Sequence, residues 1–271
     1  MPDYHLYDQW VESQISSGKK SKDFEYYTSF SIGYLTRRCF RGCQFCVNRN
    51  YKQVIAASSF SEFYDPSRPY ICLLDDNFFG YPNWKELIKP IKVTGKQFEF
   101  KQGLDERLLT DDKCAEMATW RYKGDMIFAF DNIEDSELII QKAAMWRKYS
   151  KKNTKFYCFC GFDRNGQYTQ EFWKQDILNV FARCRILSKY QCLPYIMRHE
   201  YYNNSPYRGM YVTLARWANQ PAFFKRKTFR EFCEACNQTG SSSALRYMNE
   251  FEPLLTEEEK HNTIDYYFGW K

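Results

Sequence analysis

Short apolar runs alternate along the chain with segments of helical periodicity. Six such runs, at residues 30–36, 70–75, 97–101, 126–130, 155–160 and 192–197, have the length and composition of buried strands. Four segments between them place apolar residues on one helix face: Trp84, Leu87, Ile88 and Ile91; Leu108, Cys114, Met117 and Ala118; Leu138, Ile139, Ala143 and Trp146; and Phe172, Ile177, Val180, Phe181 and Ile186. Strand–helix alternation over roughly 170 residues predicts parallel βα units.

Six units predict an α/β fold, namely a partial (β/α)6 barrel rather than a closed eight-stranded one, with an open doubly wound sheet as the alternative. We expect residues 1–29 to form an N-terminal extension, residues 30–203 the barrel, and residues 204–271 a helical cap. Within that cap, residues 221–236 and 242–251 are predicted to be helical. In such a barrel, chemistry takes place at the carboxyl ends of the strands.

Composition narrows the class of protein. Of the 271 residues, 44% are hydrophobic and 19% aromatic, which supports a sizeable core and excludes a disordered chain. No run of about 18 apolar residues is present, so no membrane helix is expected, and the start of the chain lacks the apolar segment of a signal peptide. Eleven cysteines without such a signal predict reduced thiols and a cytoplasmic location. The formal net charge of +6 is compatible with a nucleic acid, an acidic peptide or neither as partner.

Three of the cysteines, Cys39, Cys43 and Cys46, are spaced C-x3-C-x2-C directly after the first predicted strand. Their thiolates can converge on one inorganic centre, but they are one short of the four ligands that close a structural zinc site or an ordinary iron–sulfur cluster. A cluster held by three cysteines keeps one iron free to bind a substrate or cofactor. The alternatives are half of a zinc site completed from elsewhere, or unrelated thiols of a reduced protein.

This spacing, with the aromatic Phe45 before the third cysteine, resembles the signature of the radical S-adenosylmethionine (SAM) superfamily. The resemblance covers about residues 29–203. It implies two cofactors, a [4Fe–4S] cluster on Cys39, Cys43 and Cys46 and SAM on the free iron, with Phe45 beside the adenine. It also implies an enzyme that cleaves SAM reductively to a 5′-deoxyadenosyl radical, which abstracts hydrogen from an unidentified substrate. A low-potential electron donor of the flavodoxin or ferredoxin type is the expected partner.

The local sequences of residues 36–43 and 74–77 look closest to those of the branch that includes cobalamin-dependent and methylthiotransferase-like enzymes. We expect their accessory domains to be missing here. Two other functions stay open. One is modification of a nucleic-acid base, which the basic balance and the abundant aromatic residues favour. The other is a non-catalytic iron–sulfur or zinc protein that senses redox state or scaffolds a partner.

The predicted strand ends carry the residues that the resemblance assigns to SAM. Asp75, Asp76 and Asn77 end the second strand, where the family binds the SAM amino group through a Gly-Gly-Glu stretch; the glycines are absent here, so which acid acts stays open. Asp131, after the fourth strand, resembles the carboxylate that binds the ribose, although the family more often has Glu. Gly161, after the fifth strand, matches the glycine beside the adenine. For the acids after the second strand, a solvated turn or a helix cap is the alternative.

Charged residues on and after the third strand are the catalytic candidates. Glu99 and Lys101 alternate with two phenylalanines, which predicts that the phenylalanines face helices and the charges face the barrel interior. Opposite charges there require a partner, a substrate or a structural ion pair. Asp105 and Arg107 follow at the active end and are predicted, with Lys101, to orient SAM or substrate. Capping of the next helix is their alternative role.

Positive charge surrounds the three cysteines at Arg37, Arg38, Arg41 and Arg49. Such charge stabilises a reduced cluster and raises its potential. We expect one or two of these arginines to have that role and the others to be surface residues.

The other eight cysteines are predicted to pack as small apolar groups, which leaves one cluster per chain. Cys158 and Cys160 share one strand face and are expected to be buried thiols. Cys233 and Cys236 have the C-x2-C spacing of metal ligands, but no further cysteine lies near them in the sequence.

Overall fold

The computed structural model describes residues 1–270, and the chain divides into two units. The first unit comprises Met1–Leu108 and Asp112–Asp125; the second comprises Leu109–Asp111 and the chain from Met126 onward. The strands are β1 (Phe30–Gly33), β2 (Thr36–Arg37), β3 (Ile55–Ala56), β4 (Tyr70–Leu73), β5 (Gln97–Phe100), β6 (Met126–Ala129), β7 (Thr154–Cys160) and β8 (Leu193–Arg198). The helices are α1 (Asp8–Ser16), α2 (Glu25–Thr28), α3 (Trp84–Val93), α4 (Asp111–Ala118), α5 (Ser136–Tyr149), α6 (Gln170–Lys189), α7 (Arg208–Ala218), α8 (Pro221–Phe224), α9 (Phe229–Gln238), α10 (Ser243–Phe251) and α11 (Glu257–Asn262).

The first unit is built on a parallel sheet of order β1-β4-β5. Tyr122 adds a parallel bridge to Phe98 on β5. Phe98 and Phe100 are fully buried and lie against Trp120, with ring centroids 5.3 and 5.9 Å apart. Glu99 between them lies on the opposite face of the strand, and whether the phenylalanines face helices and the charges a barrel interior stays a prediction.

The second unit is built on a second parallel sheet, of order β6-β7-β8. Residues of β7 alternate between buried and half-buried, and the buried Phe128 of β6 packs edge-on against Trp146 of α5 at 6.1 Å between ring centroids. After α7, the side chain of Asn219 accepts a hydrogen bond from the Ile196 amide at 2.6 Å and donates to its carbonyl at 3.2 Å. Asn219 thereby satisfies backbone groups of the last strand.

All six predicted strands are present and pair in parallel within these two sheets, so the mixed α/β class is confirmed. The first strand ends at Gly33, three residues earlier than predicted, because the chain leaves the sheet and Thr36–Arg37 pairs antiparallel with Ile55–Ala56. The four predicted helices between the strands are also present. Two of their predicted core residues do not fit: Leu108 precedes α4 in a 3-10 turn, and Ala118 is exposed.

Helices α1 and α7 were not predicted. Helix α7 carries Gly209 in its first turn and no side chain caps its start, so its local helical signal is weak, yet it buries most of its residues against the rest of the second unit. The predicted helical region 221–236 is broken into α8 and α9, and 242–251 corresponds to α10.

No helix in residues 1–270 is both long and apolar enough to cross a membrane. The three-part organisation into extension, barrel and cap follows other boundaries than the two units and stays a prediction.

Candidate functional site

The three cysteines lie on an irregular segment, residues 38–54, which we call the cysteine loop. Its base is closed by the two-residue ladder of β2 and β3, and the Ala57 amide donates to the Leu35 carbonyl at 2.9 Å. All three cysteines are partly exposed. The backbone of Arg38 has φ of 75°, in the left-handed region that non-glycine residues seldom adopt. The loop is therefore an open, irregular structure that needs support from outside its own backbone.

Asp75, two residues after the end of β4, supplies the first part of that support. Its carboxylate is fully buried and accepts hydrogen bonds from the Leu35 amide at 3.1 Å, the Thr36 amide at 2.6 Å and the Thr36 hydroxyl at 2.6 Å. Burial raises the pKa of Asp75 to about 6, and these hydrogen bonds act in the opposite direction. Asp75 is thus engaged with the chain that leads into the cysteine loop.

The next residue, Asp76, binds the following part of the same segment. Its Oδ2 accepts a hydrogen bond from the Arg38 amide at 2.7 Å, and the Arg37 Nε lies 3.7 Å away. The bond to the Arg38 amide holds the residue with the left-handed backbone. Both acids of the triplet therefore contact the chain just before Cys39.

Asn77, the residue after Asp76, contacts the first cysteine itself. Its Nδ2 donates to Cys39 Sγ at 3.3 Å and to Asp105 Oδ2 at 3.1 Å. Because an ionised carboxylate only accepts hydrogen bonds, the amide nitrogen has to face Asp105, which turns Oδ1 the other way. Within residues 1–270, Oδ1 of Asn77 is buried and has no hydrogen-bond partner. A buried acceptor without a donor is costly, so Oδ1 is a candidate contact for a hydrogen-bond donor of a ligand.

Asp105 connects Asn77 to two arginines. Its carboxylate accepts from Arg41 Nε at 2.6 Å and from Arg107 Nε at 2.8 Å. Burial by itself would raise the pKa of Asp105, but the bond from Arg41 and the charge of Arg107 outweigh it, so this pKa is held below its ordinary value. Arg107 also lies within electrostatic range of Cys43. Of the four arginines predicted around the motif, Arg41 has the most direct link to the predicted site.

Lys101 belongs to a different set of contacts. Its Nζ donates to the Tyr26 hydroxyl at 2.5 Å and lies 4.0 Å from the centre of the Tyr26 ring, and that hydroxyl donates to Glu99. Burial, followed by the hydrogen bond to Glu99, raises the pKa of Tyr26. The predicted opposite charges of β5 are thus bridged by a tyrosine from α2, which the sequence did not indicate.

In the second unit, Asp131 and Gly161 each have a defined place. Asp131 Oδ1 accepts from the Phe159 amide at 3.1 Å. Gly161 has φ of 80°, and a Cβ there would lie 3.0 Å from the Cβ of Tyr202, so the position requires glycine. The Gly161 amide donates to the half-buried Asp176 at 2.8 Å.

Sequence reasoning missed a buried arginine at the same strand ends. Arg183 of α6 is 1% exposed and donates to the carbonyls of Phe130, Asp131 and Phe159 at 2.8 to 3.1 Å. Its signal was available, since Arg183 lies on the apolar face of α6 next to Cys184. A charge on a buried helix face has to satisfy groups in the core.

The residues of the cysteine loop fit an iron–sulfur cluster by their donor chemistry. Three partly exposed thiols are soft ligands of the required kind, and N–H groups point at two of the sulfurs, from Asn77 to Cys39 and from the Asn48 amide to Cys46 at 3.5 Å. In residues 1–270, no three His, Cys, Asp or Glu side chains are arranged as a group that could hold a metal ion. The loop would have to draw its three thiols together on binding.

The other eight cysteines are buried: Cys72, Cys114, Cys158, Cys160, Cys184, Cys192, Cys233 and Cys236. Burial raises the pKa of Cys72 to about 12 and that of Cys192 to about 11. Such thiols are protonated at neutral pH and pack as small apolar groups.

Comparisons with known proteins find no matching protein family, no matching curated protein and no matching solved structure. The function of the chain therefore has to be inferred from its own residues.

Proposed function

We propose that this protein is a radical SAM enzyme in which Cys39, Cys43 and Cys46 bind a [4Fe–4S] cluster. When bound, the cluster supplies one electron to SAM, which yields methionine and a 5′-deoxyadenosyl radical for hydrogen abstraction from a substrate. The observation that carries the proposal is the division of the cysteines: the three at the motif spacing are partly exposed on one loop after β1, whereas the other eight are buried.

The chain's own residues support this chemistry in two ways. Arg41 and Arg107, both held by Asp105, place positive charge beside the loop, which favours the more negative, reduced state of a cluster. Oδ1 of Asn77, which has no hydrogen-bond partner among residues 1–270, is an acceptor suited to an ammonium group such as that of SAM.

The proposal includes the finer fold, a partial (β/α)6 barrel of the radical SAM type, which the six parallel strands support. It also includes Asp131 as the residue for the ribose, Gly161 and Phe45 as residues beside the adenine, and Lys101, Asp105 and Arg107 as residues that orient SAM or substrate. A low-potential electron donor and a cytoplasmic location follow from the same proposal.

The test is anaerobic reconstitution with iron and sulfide, followed by a SAM-cleavage assay with a strong reductant. We expect a brown, oxygen-sensitive protein that releases 5′-deoxyadenosine and methionine, and no release after Cys39→Ala, Cys43→Ala or Cys46→Ala. Tetrahedral zinc at these cysteines in anaerobically prepared protein would overturn the proposal in favour of a zinc scaffold.

SAM binding tests Asp131 separately. Asp131→Ala removes a charged acceptor, so calorimetry should show affinity for SAM reduced about ten- to a hundredfold, as expected for a lost charge-assisted hydrogen bond. Unchanged affinity would remove Asp131 from the proposed site.

A nucleic-acid substrate is favoured by one specific feature of β8. Tyr195 is 38% exposed, its ring lies 5.6 Å from that of Tyr157, and Lys155 Nζ lies 5.7 Å from its ring centre. Aromatic side chains on neighbouring strands beside a basic group are a common surface for stacked bases. Tyr195→Ala should weaken binding of single-stranded RNA or DNA if this substrate class is correct, and equal binding in a fluorescence titration would exclude that surface.

A further inference from the structure

Three consecutive residues after β4 contact five consecutive residues before and at the first cysteine. Asp75 binds the amides of residues 35 and 36, Asp76 binds the segment 37–38, and Asn77 binds the sulfur of Cys39. The contacts run in the same order along both segments. We refer to residues 75–77 as the loop clasp.

We propose that the loop clasp is a positioning device that sets the start of the cysteine loop, and the Cys39 sulfur with it, before any metal is bound. Asp75 and Asp76 then act on the chain of the loop and not on a cofactor. The part of this proposal that concerns metal binding rests on the proposed function. The part that concerns the conformation of the loop does not.

The start of the cysteine loop needs such a device because the backbone hydrogen bonds within the loop, such as that from the Cys46 amide to the Cys43 carbonyl, join residues from Cys43 onward. The ladder at its base is two residues long, and Arg38 adopts a left-handed conformation that is unfavourable for a residue with a side chain. Charge-assisted hydrogen bonds to a carboxylate are strong enough to offset that cost.

Burial makes the clasp rigid. Asp75 is fully buried and Asn77 is 3% exposed, so neither side chain can turn to solvent without leaving polar groups unsatisfied. Asp105 holds the Asn77 amide from the side of β5 and binds Arg41, which lies between the first two cysteines. The segment from Leu35 to Arg41 is therefore tied to residues that follow two neighbouring strands.

Hydrogen exchange of the full-length, reduced, metal-free protein tests the clasp without reference to activity. Asp76→Ala should speed exchange of the Arg38 amide about ten- to a hundredfold, because that amide loses its acceptor. Asp76→Asn keeps an oxygen acceptor and should restore most of the protection. Asp112→Ala is the control, since Asp112 forms an exposed ion pair with Lys85 in the same unit.

Because loss of the Asp75 carboxylate could prevent folding, that end of the clasp is tested with Thr36→Val. This variant removes only the hydroxyl that donates to Asp75 and should raise exchange at Thr36 more than at Arg38. If Asp76→Ala and Thr36→Val both leave exchange in residues 35–39 as in the control, the clasp is overturned.

Iron retention then tests the link to metal binding. In reconstituted protein, Asn77→Leu should lower resistance to a chelator about ten- to a hundredfold, the usual effect of removing a side chain that orients a metal ligand. Wild-type protein that binds no iron would refute the proposed function, while the exchange results would still decide the clasp. Full iron retention in Asn77→Leu would show that the clasp does not position a metal ligand.

Discussion

Two pairs of cysteines in this chain have the same C-x2-C spacing and different surroundings. Cys43 and Cys46 lie on irregular, partly exposed backbone, where the Cys46 amide donates to the Cys43 carbonyl at 2.9 Å. Cys233 and Cys236 lie on α9, and both are buried. Burial raises the pKa of Cys233 to about 12.

The difference shows that spacing alone does not define a metal ligand. On a helix, residues three apart share one face, and in α9 that face also carries the buried Phe229 and Phe232. Thiols on such a face are inert packing groups. The same spacing on irregular, partly exposed backbone leaves the sulfurs accessible to a metal.

The sharpest test of this comparison is iron content. After anaerobic reconstitution we expect about four irons per chain, and essentially none in the Cys39→Ala/Cys43→Ala/Cys46→Ala variant, because the buried thiols cannot assemble a cluster. The matched control, Cys233→Ala/Cys236→Ala, should keep its iron. If the triple variant kept about four irons and a cluster EPR signal, a second site would exist, with Cys233 and Cys236 the first residues to test.

The rate of alkylation distinguishes the two pairs of cysteines in metal-free protein. In the reduced, metal-free native protein, iodoacetamide should label Cys43 and Cys46 at least about 10³-fold faster than Cys233 and Cys236, whose reaction requires unfolding. Peptide mass spectrometry over a time course measures both rates in one sample. Equal rates would mean that α9 opens freely and that its thiols are not core residues.

Serine substitution compares the two pairs of cysteines by the free energy of unfolding. Cys233→Ser buries a hydroxyl in an apolar site and should lower the free energy of unfolding by about 1–3 kcal/mol in the metal-free protein. Cys43→Ser on the loop should change it by less than about 0.5 kcal/mol. Urea unfolding provides both values, and a larger loss for Cys43→Ser would contradict the comparison.

The smallest expected effect is a pH dependence. The folded-state pKa of Cys233, about 12, lies above its unfolded value, so its stabilising contribution is complete below about pH 9 and is lost as pH rises towards 12. At pH 10 the contribution lost is about 1.4 kcal/mol, one tenfold step in the equilibrium. The fall in unfolding free energy between pH 8 and pH 10 should be smaller by this amount in Cys233→Ala, and an identical fall in both proteins would contradict the raised pKa.

Local pattern predicted much of the fold because strands and helices are short-range features. The six apolar runs correspond to β1 and to β4 through β8, and the apolar face of α6 is buried at Ile177, Val180 and Phe181 as expected. Helix α7 was missed because its own sequence, with Gly209 near its start, carries little helical signal, and packing within the second unit stabilises it instead.

The roles of the polar residues were less predictable. Asp75 stood at the predicted strand end, but whether its carboxylate would face a cofactor, solvent or backbone depended on the amides of Leu35 and Thr36, which lie about forty positions earlier in the chain. The sequence shows Arg183 on the apolar face of α6 but does not show its acceptors, which are carbonyls at the ends of two strands.

The sequence by itself determined the order of the six parallel strands, the four helices between them and the presence of three closely spaced thiols, because these follow from residues near one another in the chain. Only the tertiary structure decided which cysteines are buried and which stay accessible. It also decided that Asp75 and Asp76 bind the segment before Cys39, and that Asn77 keeps an acceptor without a donor in the part of the chain that the structure describes. Burial and hydrogen-bond partners come from segments far apart in sequence, and a buried polar group takes the partner that the fold brings to it.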